Sequence, residues 1–121
     1  MSGAWIAVGA VVCAISILAG AFGAHGLRGR LDANALALWE TAARYLMYGG
    51  LGILAITLAG RPAGGRLFTL AAGALLIGSL IFCGTVAILA LGGPRWLGAI
   101  TPIGGLLMIV SFVLLAIAVL R

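Results

Sequence analysis

The sequence predicts an all-α integral membrane protein, a four-helix bundle with short loops, and three observations carry that prediction. Four long apolar runs fill nearly all of the 121 residues, at 3–24, 36–60, 67–91 and 99–120. A helix rising 1.5 Å per residue needs about 20 apolar residues to cross a bilayer; three runs reach that length alone, and the second, unbroken only over 45–60, reaches it with its helix starting near Leu36. Hydrophobic residues make up 64% of the chain and charged ones only 7%, against about 25% charged in a soluble domain. So little polar surface cannot clothe a water-soluble globule. The connections between the runs are short and rich in Gly, Pro and Arg, as turns at a membrane surface are. The chain is therefore a single transmembrane domain with no linker.

The first span, 3–24, carries small residues at Gly9, Cys13, Ser16, Gly20 and Gly23. Their spacing alternates between four and three, which puts them on one helical stripe. In lipid such a stripe lets two backbones approach, because packing drives helix association there. Ala19-Gly20-Ala21 resembles a cleavage site, but the segment before it has no basic residue and the run exceeds a signal-peptide core. A retained span is expected.

A basic turn follows, with His25, Arg28 and Arg30. Asp32 then offers an N-cap, with Asn34 as a second candidate. From there one helix is expected through Trp39, Glu40, Arg44, Tyr45 and Tyr48 into the second run. Its first turns are amphipathic and belong at the headgroup level. Glu40 and Arg44 stand four apart, in the order that favours a helical ion pair.

Residues 60–66 read as a turn, with a helix stop at Pro62. Span three runs from Leu67 with a side of small residues, and residues 91–98 form the third connection around Pro94 and Arg95. Span four carries Thr101, Pro102, Gly104 and Gly105 near its start. Pro102 makes that start irregular unless it falls in the first helical turn.

Trp5, Trp39 and Trp96 sit near span ends, where an indole finds both apolar and polar surroundings. All basic side chains are arginines, seven in number, and the net charge is +5. In a soluble protein this excess would suggest nucleic acid. Here the arginines flank spans, so they meet headgroups and set orientation, and no nucleic-acid partner is expected. Arg28, Arg30 and Arg95 are the candidate lipid-headgroup contacts. The N-terminal segment lacks basic side chains, which favours both termini outside.

Three segments carry a family resemblance: residues 20–27 (Gly-Ala-Phe-Gly-Ala-His-Gly-Leu), 39–45 (Trp-Glu-Thr-Ala-Ala-Arg-Tyr) and 97–105 (Leu-Gly-Ala-Ile-Thr-Pro-Ile-Gly-Gly). In that order they resemble the small membrane-protein family that includes bacterial YgdD and eukaryotic transmembrane protein 256, a domain of unknown function. The resemblance covers nearly the whole chain. It implies a four-helix protein of the bacterial inner membrane and implies no activity. Members often carry Gln after the Tyr that matches Tyr45, and His four positions past it. This chain has Leu46 and Gly49 there, so a site built on that second His is absent from it.

The candidate polar cluster is His25, Glu40, Thr41, Arg44 and Tyr45. His25, the only histidine, can switch charge, relay a proton or bind metal, or simply cap the end of span one. No Cys or carboxylate stands at ligand spacing from it, so neither a metal site nor a cofactor is expected. Cys13 and Cys83 read as buried hydrophobes. The scattered hydroxyls have no base beside them, so no enzyme is expected.

Three functions remain open. The first is a structural or accessory component packing within a membrane complex, or as a homo-oligomer. The second is an oligomeric small-solute or ion transporter. The third is a lipid-binding membrane protein.

Overall fold

A computed structural model describes residues 3–63 and 65–121. Its elements are α1 (Gly3–Phe22), which continues into a π-helical turn (Gly23–Leu27), α2 (Ala33–Ala63), α3 (Arg66–Ala90) and α4 (Leu97–Leu120). All four helices are long and apolar enough to cross a membrane. Their outward faces are apolar too, as with Ile17 and Leu18 on α1 and Ile103, Leu106 and Ile109 on α4. Lipid is the solvent that such faces require.

The boundaries shift from those expected, for local reasons. The Asp32 carboxylate accepts from the Ala35 amide at 2.8 Å. That cap starts α2 at Ala33, so Asn34 lies inside the helix. At its far end α2 runs to Ala63, past the stop expected at Pro62. Gly64, part of the expected turn, lies outside the described residues. Gly65 has φ 111°, a left-handed conformation that reverses the chain before α3. The first span extends beyond residue 24 because Gly23–Leu27 winds as a π turn. Such a turn admits one extra residue. Here it lets the Trp39 ring press on Gly23, where a Cβ would lie 2.6 Å from Cδ1.

α4 begins at Leu97, two residues earlier than expected, so Pro102 falls inside the helix rather than in its first turn. Proline has no amide proton, so the Gly98 carbonyl loses its helical donor. Hydroxyls hold the segment together instead. Thr101 Oγ1 lies 2.6 Å from Thr85 Oγ1 on α3 and 3.1 Å from the Leu97 carbonyl. Thr85 Oγ1 in turn reaches the Ile81 carbonyl at 2.7 Å. A hydroxyl pair between membrane helices stabilises by about 0.6 kcal/mol on average. A double-mutant cycle of Thr85→Val and Thr101→Val in chemical unfolding should return a coupling of about 0.5–1.5 kcal/mol. A coupling of zero would mean that the two hydroxyls do not meet.

α2 and α3 form the centre. α1 packs on α2, and α4 packs on α3 with a minor contact to α2. The core joins Ile53 and Ile56 of α2, Phe68, Ala71, Ala72 and Leu75 of α3, and Met108 of α4, with Trp5 and Val8 of α1 against its edge. Because α1 leans on one neighbour, both sides of the α1–α2 seam are open to grooves.

Candidate functional site

The small-residue stripe of α1 faces α2. Gly9, Ser16 and Gly23 are buried, and Cys13 and Gly20 half-buried. Gly9 and Cys13 meet Gly50 of α2, where an added Cβ would lie 2.6 Å from Cys13 Sγ and 2.8 Å from its backbone nitrogen. Higher up, the Ser16 hydroxyl donates to the Ala43 carbonyl at 2.5 Å. The Trp39 indole N–H donates to the Ala19 carbonyl at 2.8 Å. This bond anchors the interfacial indole to the adjoining helix, and Phe22 meets it edge-on at 6.1 Å. Trp96, by contrast, is 63% exposed.

Two concave surfaces flank this seam. One is an apolar cleft of about 250 Å³ between α1, α2 and α3, walled by Ile15, Ala19, Trp39, Ala42, Ala43, Leu46, Leu80, Cys83, Gly84 and Ala87. The other is a shallow groove of about 260 Å³ between α1 and α2, lined by Ser16, Gly20, Glu40, Ala43 and Arg44. The apolar cleft takes Trp39, Ala42 and Leu46 from α2, while the groove takes Glu40 and Arg44. That separation is the one between faces of a 3.6-residue helix.

The five residues expected to cluster are therefore dispersed. Glu40 and Arg44 alone share the groove. They form no ion pair with each other among the described residues, against the expectation from their spacing. Arg44 lies 6.0 Å from the Tyr45 ring centre. Tyr45 turns the other way and stacks on Phe82 of α3 at 4.9 Å, with Tyr48 at 5.0 Å. The Thr41 hydroxyl donates to the Ala37 carbonyl at 2.9 Å, within its own helix. His25 is exposed in the π turn. Among the described residues it makes no hydrogen bond to the other four. Arg28, Arg30 and Arg95 are all exposed at that same end of the molecule.

Most of the buried hydroxyls likewise serve their own helices. Thr57 donates to the Ile53 carbonyl at 2.7 Å and Ser111 to the Met108 carbonyl at 2.6 Å. Ser79 is the exception: its fully buried Oγ has no partner among the described residues. It faces Gly49, where any Cβ would overlap it. The departure at position 49 thus has a physical counterpart. A histidine there would collide with α3 at this helix spacing.

Sequence reasoning placed Gly78, Cys83 and Gly84 on a small-residue side of span three without telling what each meets, read Gly104 only as part of an irregular helix start, and passed over Gly50. Twenty glycines in one chain dilute the signal. Only the mates on neighbouring helices single these out.

The chain is similar to proteins already grouped by sequence. A family model described as a protein of unknown function (DUF423) matches residues 19–105. All three segments that carried the resemblance fall inside that range. A UPF0382 membrane protein of Staphylococcus epidermidis is 42% identical over 97% of this chain and 95% of its own length. One of Staphylococcus saprophyticus is 41% identical over 97% of each. The UPF0382 membrane protein YwdK of Bacillus subtilis is 35% identical over 97% of this chain and 96% of its own length. No solved structure matches. The chain belongs to the DUF423 family, a family of membrane proteins with no named activity.

Proposed function

We propose that this chain is a non-catalytic accessory protein that seats an apolar transmembrane helix of a partner membrane protein. The observation that carries this reading is the makeup of the apolar cleft. Five of its ten wall residues are Ala or Gly: Ala19, Ala42, Ala43, Gly84 and Ala87. Walls of small residues let a second backbone come close, which is how helices associate in lipid. The polar residues give little support to catalysis. Apart from the unpartnered Ser79, the buried hydroxyls bond carbonyls of their own or a neighbouring helix, and His25 stands exposed at the end of α1. A transport route would need polar groups aligned through the interior. Glu40 and Arg44 instead sit on an outer groove.

Gly84 provides the test. A Cβ there meets nothing within 4 Å, so Gly84→Leu fills the cleft without disturbing the chain's own packing. A photo-crosslinking side chain in place of Leu80, an exposed cleft wall that is already large, is expected to capture one partner in native membranes, and the same group at position 109, on the outer face of α4, is not. Gly84→Leu should leave the thermal stability in mild detergent within about 0.5 kcal/mol of the parent, as for a substitution away from packed contacts. The same variant should lose the stoichiometric partner on gentle purification. Equal capture at 80 and 109, or a partner that survives Gly84→Leu, would overturn the reading.

A further inference from the structure

We infer that the groove on the other side of the α1–α2 seam binds the headgroup of a zwitterionic phospholipid bearing a primary ammonium, with Arg44 on the phosphate and Glu40 on the ammonium. The inference does not depend on the accessory role, which uses the apolar cleft.

It starts from the length of α2. Its 31 residues make a helix of about 46 Å, against about 30 Å of hydrocarbon. About 16 Å must lie outside or tilt, and the polar stretch at its N-terminal end is where the surplus belongs. Arg44 stands just over one turn deeper than Trp39, the interfacial indole, so its long side chain can reach back to the headgroup boundary. Glu40, next to Trp39, is one turn or about 6 Å further out, at the headgroup boundary itself. A phospholipid presents its charges in that same order. Its phosphate is attached next to the glycerol, close to the hydrocarbon, and its ammonium lies two carbons further out. The cation of this pair thus lies on the inner side and the anion on the outer side, in the order of phosphate and ammonium.

The rest of the groove suits a guest. Glu40 and Arg44 are both exposed and both line it, yet neither pairs with the other among the described residues. An ionised group at the hydrocarbon edge calls for a partner. Gly20 faces them across the groove, and a Cβ on it would meet nothing within 4 Å. There is open space where the headgroup would lie. The Tyr45 ring near the guanidinium restrains Arg44 by a cation–π contact. The Ser16–Ala43 hydrogen bond closes the deep end, since both residues line the groove and are bonded to each other.

The test is native mass spectrometry of the full chain in mild detergent, offered phosphatidylethanolamine, phosphatidylcholine and phosphatidylglycerol of identical acyl chains in equal amounts. Choline carries the same positive charge but no N–H to give Glu40. The expected result is a preference for phosphatidylethanolamine of about tenfold over each competitor, the size of one charge-assisted hydrogen bond. Glu40→Gln should abolish that preference while binding of phosphatidylglycerol persists. Arg44→Gln should weaken all three. The double swap Glu40→Arg with Arg44→Glu keeps both charges and the net charge but reverses their depth, so it should lose the preference. Gly20→Leu should block the groove. All of these sites are exposed or open, and circular dichroism will report the helix content of each variant. The conservative Arg44→Lys, which retains the charge, should keep most of the binding if Arg44→Gln proves unstable. A wild-type chain that does not distinguish the three lipids would overturn the inference, as would a charge-swapped chain that keeps the preference. Displacement of the lipid by free phosphoethanolamine at equal concentration would overturn the assignment to a lipid and leave a soluble ligand in its place.

Discussion

Gly104→Ala should be among the most damaging single-methyl additions this protein can suffer. The Cβ would fall on the backbone nitrogen of Phe82 in α3, a neighbour that cannot swing aside. The close approach is mutual. A Cβ at Gly78 would lie 2.8 Å from the Gly104 carbonyl oxygen and 2.9 Å from the Met108 nitrogen. The two backbones touch at this crossing, so the only relief is to part α3 from α4. Adding a methylene to a well-packed site typically costs about 1–3 kcal/mol, more where backbone must move. The α3–α4 contact also holds Met108 in the core and brings Thr85 to Thr101. We expect Gly104→Ala to lose about 3 kcal/mol in reversible unfolding from detergent micelles and Gly104→Leu to prevent folding. Gly105→Ala is the internal control. Its Cβ would sit 3.5 Å from a Phe82 ring carbon, an ordinary contact, and should change stability by less than about 0.5 kcal/mol. Equal effects at 104 and 105 would mean that the crossing point lies elsewhere.

Side by side, these two glycines mark where the sequence stops being legible. Span number and approximate extent follow from hydropathy and length alone, because a bilayer imposes both. The stripe from Gly9 to Gly23 was legible as well, since the alternating spacing of its residues names one face. Gly104 and Gly105 look alike in sequence. Only the rotation of α4 against α3 decides which one touches, and that rotation is set by the whole interface. Pro102 gives a second case. Proline near a helix start is tolerated in the first turn, but α4 begins at Leu97, two residues before the expected start, and Thr101 bonds the Leu97 carbonyl and meets Thr85.

The polar site was legible in part, and the missing part is instructive. Four-residue spacing does put Glu40 and Arg44 on one face, and the structure keeps them there. Adding Tyr45, Thr41 and His25 to that face went beyond what spacing supports. Tyr45 is one residue from Arg44, about 100° around the helix, and so it stacks on α3 instead of joining the groove. Sequence adjacency is a poor guide to shared surroundings on a helix. The expected ion pair fails for a related reason: helical spacing permits the contact, while the surroundings decide whether two long side chains meet.

Gly50→Leu should detach α1 from the rest of the protein, and so remove a wall from both concave surfaces at once. Gly50 is where α2 admits α1: an added Cβ would lie 2.6 Å from Cys13 Sγ, 2.8 Å from Cys13 N and 3.0 Å from the Gly9 carbonyl oxygen. The sulfur can rotate, but the two backbone atoms cannot. A leucine there forces the helices apart by more than a methyl group, at a cost of about 2–4 kcal/mol. The Ser16–Ala43 and Trp39–Ala19 hydrogen bonds lie further along the same seam and depend on the same approach. Because α1 packs mainly on α2, few other contacts restrain it, and the core of α2, α3 and α4 should survive. Cys13 reports the event directly. In a Cys83→Ser background, its reaction with a thiol-reactive dye in mild detergent should speed up several-fold in Gly50→Leu. In a Cys13→Ser background, the reaction at Cys83, on α3, should change less. An unchanged Cys13 rate would show that α1 does not rest on Gly50. Acceleration at both cysteines alike would show that the four helices unfold as one unit and that α1 is not separately held. With α1 detached, partner capture at position 80 and the phosphatidylethanolamine preference should fall together, since Ile15 and Ala19 wall the cleft while Ser16 and Gly20 line the groove. Loss of one without the other would show that the surviving activity does not need α1.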